Sequence, residues 1–174
     1  MYFGDKVTLQ ELNDVSPDDA ISAFLRCCGS TRWVRLMEQR RPFRDRTELF
    51  DAAEKIWRTL GPDDWKEAFS HHPRIGSVGS LRTKFPDTAA WAEGEQSGTR
   101  KASEETLHQL AEANEAYEQK FGRIFIVCAT GKSAEEMLAL MKSRLPNDPD
   151  SELGVAAAEQ LKITRIRLEK LLQE

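Results

Sequence analysis

Ile124-Phe125-Ile126-Val127-Cys128-Ala129 is the stretch on which the fold turns. β-Branched and aromatic residues crowd it and glycines bound it, so taken alone it reads as a strand. It is the one strand-like run in 174 residues, and a single strand makes no sheet. The expectation is therefore an all-α protein: a single-domain, multi-helix bundle over residues 1–174 with one short extended segment near 123–129. The backbone groups of that segment must meet something other than a neighbouring strand, because unpaired buried N–H and C=O groups are costly.

Working outward, helical signals fill both flanks. Upstream, Ser103-Glu104-Glu105 opens a long helix to about Phe121-Gly122, with Leu107, Leu110, Ala111, Asn114 and Tyr117 facing inward and Gly98 interrupting before it. Downstream, Ser133 caps a helix to Leu145, and a terminal helix runs from about Ser151 to Leu172. Nearer the start, Thr8 caps a short helix through Leu12, and Ser16-Pro17-Asp18-Asp19 opens one to about Cys28. Further helices follow from about Thr31 to Gln39, from Thr47 through Leu60, and from Gly61-Pro62 to His71. Residues 72–86, with Pro73, Gly76, Gly79, Pro86, Arg74, Arg82 and Lys84, read as a long loop, and loops of that length inside helical domains are often functional. A short helix is expected over Ala89 to Glu95.

Composition narrows the function classes. Lys plus Arg total 25 against 29 Asp plus Glu, a net charge of -4, so no global cationic field draws in nucleic acid or an anionic membrane. Cys27, Cys28 and Cys128 form neither a CxxC pair nor an even disulfide set, which fits buried thiols in a reducing compartment. Met1 to Val15 lacks the pattern of a secretory signal, so a soluble, cytoplasmic protein is expected. No HExxH, P-loop or GxGxxG after a strand occurs, and His71, His72 and His108 lack metal-ligand partners, so no cofactor and no metal are expected. Trp33, Trp57, Trp65 and Trp91 read mostly as core, although exposed they would serve as anchors of an interaction domain.

Three places could carry chemistry. In His72-Pro73-Arg74-Ile75-Gly76, proline stops the helix and presents the imidazole at the mouth of the loop, where it either serves the site or simply caps the helix. Glu95, beside Gln96 in Glu93-Gly94-Glu95-Gln96-Ser97-Gly98, sits against the dipole at a helix end and is either a surface acid or retained for function. On the terminal helix, Leu153, Ala156, Ala157, Leu161, Ile163, Leu168 and Leu171 form an apolar arc that encloses Gln160 and Arg167, with Arg165 near its edge. An arginine in an apolar face needs a partner, which is a structural carboxylate or an anionic ligand held by the guanidinium fork.

Taken in order, these pieces resemble the 2-oxo-4-hydroxy-4-carboxy-5-ureidoimidazoline (OHCU) decarboxylase family. They are Leu9-Gln10-Glu11-Leu12-Asn13, Arg41-Pro42-Phe43, His72-Pro73-Arg74-Ile75-Gly76, Glu95-Gln96, Asn114-Glu115-Ala116-Tyr117, Phe121-Gly122-Arg123-Ile124-Phe125-Ile126 and Glu159-Gln160-Leu161-Lys162-Ile163-Thr164-Arg165-Ile166-Arg167-Leu168. The resemblance implies an all-helical, cofactor-free carboxy-lyase of urate degradation, often a homodimer, that turns OHCU into (S)-allantoin. It implies His72, Glu95 and Arg167 as catalytic, and Pro73, Gln96, Arg167 and the backbone of Phe125 and Ile126 as substrate-binding. Ala92 stands where the family commonly carries a serine, removing one polar contact to substrate. The rival reading is a non-catalytic helical module that binds a small anion through Arg167 and the basic loop.

Overall fold

The structure, a computed structural model, describes residues 7–72 and 97–172, with side chains from residue 104 onward in the second stretch. Among these it contains α1 (Leu9–Asp14), α2 (Pro17–Cys27), α3 (Thr31–Gln39), α4 (Arg46–Thr59), α5 (Pro62–Ser70), α6 (Ser97–Phe121), α7 (Ala134–Arg144) and α8 (Pro149–Leu171). The described residues hold no strand, and 124–128 is an extended run. The all-α expectation stands.

Local chemistry explains most boundaries. Thr8 accepts the Glu11 N–H while the Glu11 carboxylate takes the Thr8 N–H at 2.7 Å, a reciprocal cap. Ser133 and Glu136 repeat it on α7. Ser16 caps α2 with Pro17 in its first turn. Two starts differ from the sequence reading. Asp45, not Thr47, opens α4 by accepting the Glu48 N–H at 2.8 Å, aspartate being as good a cap and available two residues earlier. Gly98 does not interrupt α6, which already begins at Ser97, because one interior glycine costs only about 1 kcal/mol and a 25-residue helix absorbs it. Gly122, at φ +64°, ends that helix in the left-handed conformation that favours glycine.

The described residues gather into two compact units. Residues 7–72, 126–128 and 155–172 make the first, and 97–125 and 129–154 the second. In the first, Phe24 lies edge-on to Trp33 and Phe43, with centroids 6.0 and 6.5 Å apart. The Trp33 and Trp57 indoles are buried, and each donates its N–H to a backbone carbonyl, of Ala53 (3.1 Å) and Ala157 (2.9 Å). Trp65 is half-buried, and Trp91 lies outside the described residues. Two of the quoted motifs meet here: the Asn13 side chain brackets both backbone groups of Phe43, and Arg41 donates to the carbonyls of Leu12, Asn13 and Val15 at the end of α1. The Arg41–Pro42 peptide is cis.

In the second unit, α6 packs on α7, and α6 buries Leu107, Leu110 and Ala113, the last in place of the expected Ala111, which is half-buried. At its centre the fully buried Glu152 carboxylate accepts from Tyr117 Oη (2.5 Å), Arg144 Nε (2.9 Å) and Asn147 Nδ2 (2.8 Å). Cys27, Cys28 and Cys128 are free and buried, as the sequence indicated. No helix among the described residues is long and apolar enough to cross a membrane.

Candidate active site

His72 is fixed by the way α5 stops. The His71 N–H bonds to Ala68, and the His72 N–H to Phe69 at 3.1 Å, so tight turns close the helix after Ser70. A Cβ on Gly29 would lie 2.4 Å from the Cγ of His71, so the bare backbone there lets the end of α5 close on the α2–α3 connection. The half-buried His72 ring then meets α8: Nε2 donates to Gln160 Oε1 at 2.6 Å. Gln160 is fully buried, and its Nε2 donates to Thr164 Oγ1, one turn along, at 3.2 Å.

Arg167 follows two turns after Gln160 on the same helix. It is half-buried, its Nη1 reaches the Cys27 carbonyl at 3.5 Å, and no ion pair among the described residues includes it. Burial pushes the neighbouring thiols up, Cys27 to about 12 and Cys28 to about 11, against the opposing pull of the Arg167 charge. Both are therefore neutral and inert as nucleophiles. Of the two partners open to Arg167 in the sequence, a structural carboxylate is not supplied by the described residues. Arg165 behaves differently: it is exposed, stacked 4.8 Å over Phe50 and paired with Glu169 at 3.3 Å.

The extended run contributes separately to each unit. Ile126 is buried in the first, where the Cys128 N–H two residues on is taken by the Glu159 carboxylate at 2.7 Å. The expectation that these backbone groups meet something other than a strand thus has one answer within the protein. Phe125 is buried in the second unit, edge-on to Tyr117 at 5.0 Å and beneath the Arg144 guanidinium at 4.4 Å. Both side chains belong to cores. Pro73, Glu95, Gln96 and Ala92 lie outside the described residues, as does the short helix expected over 89–95.

Gln160, Thr164 and Glu159 were not singled out as functional in the sequence. Gln160 had a signal, since it shares the apolar arc with Arg167 and a buried amide needs partners just as a buried guanidinium does. No group of three or more His, Cys, Asp or Glu side chains among the described residues could hold a metal ion. A surface cavity of about 330 Å³ lined by Arg40, Arg44, Asp45 and Glu48 contains none of the residues just described, and its arginines are paired to Glu48 at 2.7 and 3.0 Å.

An all-helical fold that holds a histidine on a buried amide, with an arginine two turns along the same helix that pairs with no carboxylate among the described residues, offers the polar groups that suit a small polar ligand. The chain belongs to the OHCU decarboxylase family, whose model matches residues 13–169. It is 39% identical over 150 residues, 85% of its length, to the uric acid degradation bifunctional protein TTL of Arabidopsis thaliana, of which it spans 46%. It is 25% identical over 166 residues to the 2-oxo-4-hydroxy-4-carboxy-5-ureidoimidazoline decarboxylase of Haloferax volcanii, covering 94% of this chain and 95% of that one. The chain thus spans about half or less of the bifunctional relatives and nearly all of the archaeal one. Among solved structures, OHCU decarboxylase crystallised in the presence of (S)-allantoin superposes with a TM-score of 0.66 at 36% identity, covering 90% of this chain and 97% of that one. An (S)-allantoin synthase shares the fold at 18% identity and a TM-score of 0.67, over 95% of this chain and 54% of that one.

Proposed function

We propose that this chain decarboxylates OHCU to (S)-allantoin in urate degradation, without metal or organic cofactor. The observation that carries the reading is that α8 holds both Gln160, which bonds the His72 ring, and Arg167 two turns further on, His72 and Arg167 being the positions where the family resemblance puts a catalytic histidine and a substrate-binding arginine. The substrate supplies its own electron sink. The bond from ring carbon to carboxylate breaks, its electron pair moves into the adjoining C=N or C=O, CO2 leaves, and the electron-rich product takes one proton on one face. The protein must orient the carboxylate out of the ring plane, stabilise developing negative charge and deliver that proton. Arg167 anchors substrate oxygens with its planar fork, and His72 hydrogen-bonds the reacting centre and moves the proton. Glu95 with Gln96 fixes the ring and the leaving carboxylate, and Pro73 with the backbone of Phe125 and Ile126 completes the contacts; these roles rest on motif position alone. The homodimer and the cytoplasmic setting that the resemblance implies belong to the same proposal.

The test is turnover of freshly generated OHCU in the presence of a chelator, reading CO2 release and the enantiomer of allantoin. We expect a single enantiomer and undiminished rate. His72→Asn and Glu95→Gln should each lower turnover by about 10² to 10⁴, the usual contribution of a proton-transfer group, and change affinity for allantoin far less. Parent-like turnover in both variants would overturn the catalytic roles of His72 and Glu95, and absence of turnover by the parent would leave the anion-binding module as the better account.

A further inference from the structure

The histidine is held by an amide, and that choice of group has chemical consequences. Gln160 lies fully buried on an apolar helix face, where leucine would cost nothing and an amide must find partners at both ends. It finds them in different places. Its Nε2 donates to the hydroxyl of Thr164, itself buried, at 3.2 Å. With its Nε2 so placed, the amide presents its oxygen to His72.

We infer that Gln160 is the positioning residue of His72: its side-chain oxygen accepts the Nε2–H at 2.6 Å and so fixes the imidazole in the Nε2–H tautomer, which leaves Nδ1 as the nitrogen that gains and loses the proton. An amide oxygen can only accept, so Nε2 must carry hydrogen whether the ring is neutral or cationic. A carboxylate in that place would hold the imidazolium by charge, as in the Ser-His-Asp arrangement. The neutral amide orients the ring equally in both protonation states and so suits a residue that must release its proton as readily as it takes one. Thr164, one turn along α8, extends the fixation by one further group.

The catalytic consequence rests on the function proposed above, whereas the tautomer does not, and the experiment keeps the two apart. Full-length protein with ¹⁵N-labelled histidine is examined by long-range ¹H–¹⁵N correlation, His72 being assigned by its loss in His72→Asn. The parent should show the Nε2–H pattern alone. Gln160→Met, which keeps length and volume but removes the acceptor, should give a mixture of tautomers. It should also lower kcat on OHCU roughly tenfold to a hundredfold, as loss of a residue that orients an imidazole does, with KM changing much less. Should Gln160→Met fail to fold, Thr164→Val decides: it keeps shape, frees the amide to rotate, and should give the same mixture with a smaller loss of kcat. A pure Nε2–H pattern with parental kcat in whichever variant folds would overturn the inference. A parent that shows the tautomer dependence but never turns over OHCU would sink the proposed function and leave Gln160 in its role.

Discussion

Arg165 and Arg167 differ in what surrounds them rather than in what they are. Arg167 is half-buried against the Cys27 carbonyl, while Arg165 is exposed, stacked on Phe50 and paired with Glu169. Arg167→Lys keeps the charge but loses the planar, bidentate fork, so turnover should fall roughly tenfold or more while the fold persists. Arg165→Lys gives up at most an exposed ion pair, worth about 0–1 kcal/mol, and should leave turnover at the parental rate. Paired kinetic and circular-dichroism measurements on the two variants check this, and the reverse pattern would mean that the fork on the inner side of α8 binds nothing. This distinction was legible in the sequence, because 100° per residue places Arg167 inside an apolar arc and Arg165 at its edge. The partner of Gln160 was not. His72 lies 88 residues away, and no period within one helix points to it.

At the scale of elements, the second unit depends on one buried carboxylate. Burial works to raise the Glu152 carboxyl, but hydrogen bonds from Arg144, Tyr117 and Asn147 outweigh it and hold the group below its ordinary value. The carboxylate joins α6, the end of α7 and the start of α8, and Arg144 also covers the Phe125 ring. Glu152→Gln removes the charge that faces the buried guanidinium and should cost about 3–5 kcal/mol. Tyr117→Phe removes one hydrogen bond to a charged group and should cost about 1.5–3 kcal/mol. Urea titrations of both variants give the order, and a Glu152→Gln loss no larger than that of Tyr117→Phe would show that the ion pair contributes little. Nothing local announces this network: Glu152 sits in the first turn of α8, where an acid is expected on dipole grounds alone, and Tyr117 is 35 residues upstream. The helix starts at Thr8, Ser16 and Ser133 were legible because a cap and its N–H partner lie within one turn. Gly98 misled for the complementary reason, since a weak local preference loses to the cooperative continuation of a long helix.

Across the whole molecule, the buried ionisable groups set the pH range in which the fold is stable. Burial raises Cys27 to about 12 and Cys28 to about 11 from an ordinary 9, and burial together with the bond to Glu152 raises Tyr117 from 10. A raised folded pKa means that the folded chain keeps a proton that the unfolded chain has given up. The stabilisation is complete below the unfolded value and is lost as pH rises towards the folded one. Glu152 works in the opposite sense: lowered from 4.5, it contributes above that value and is lost as pH falls through its folded pKa. Both units should therefore be most stable near neutrality, with the alkaline flank starting at about pH 9 on account of the two thiols. Between pH 9 and 11 each thiol contributes a fall of at most about 1.4 kcal/mol per pH unit. Cys27→Ser with Cys28→Ser should lower stability at pH 7, where it spoils packing, and flatten the decline between pH 9 and 11, where it removes the titrating groups. Thermal melts of parent and double variant across that range test the claim, and an alkaline slope the same in both would assign the decline to groups other than the thiols beside Arg167.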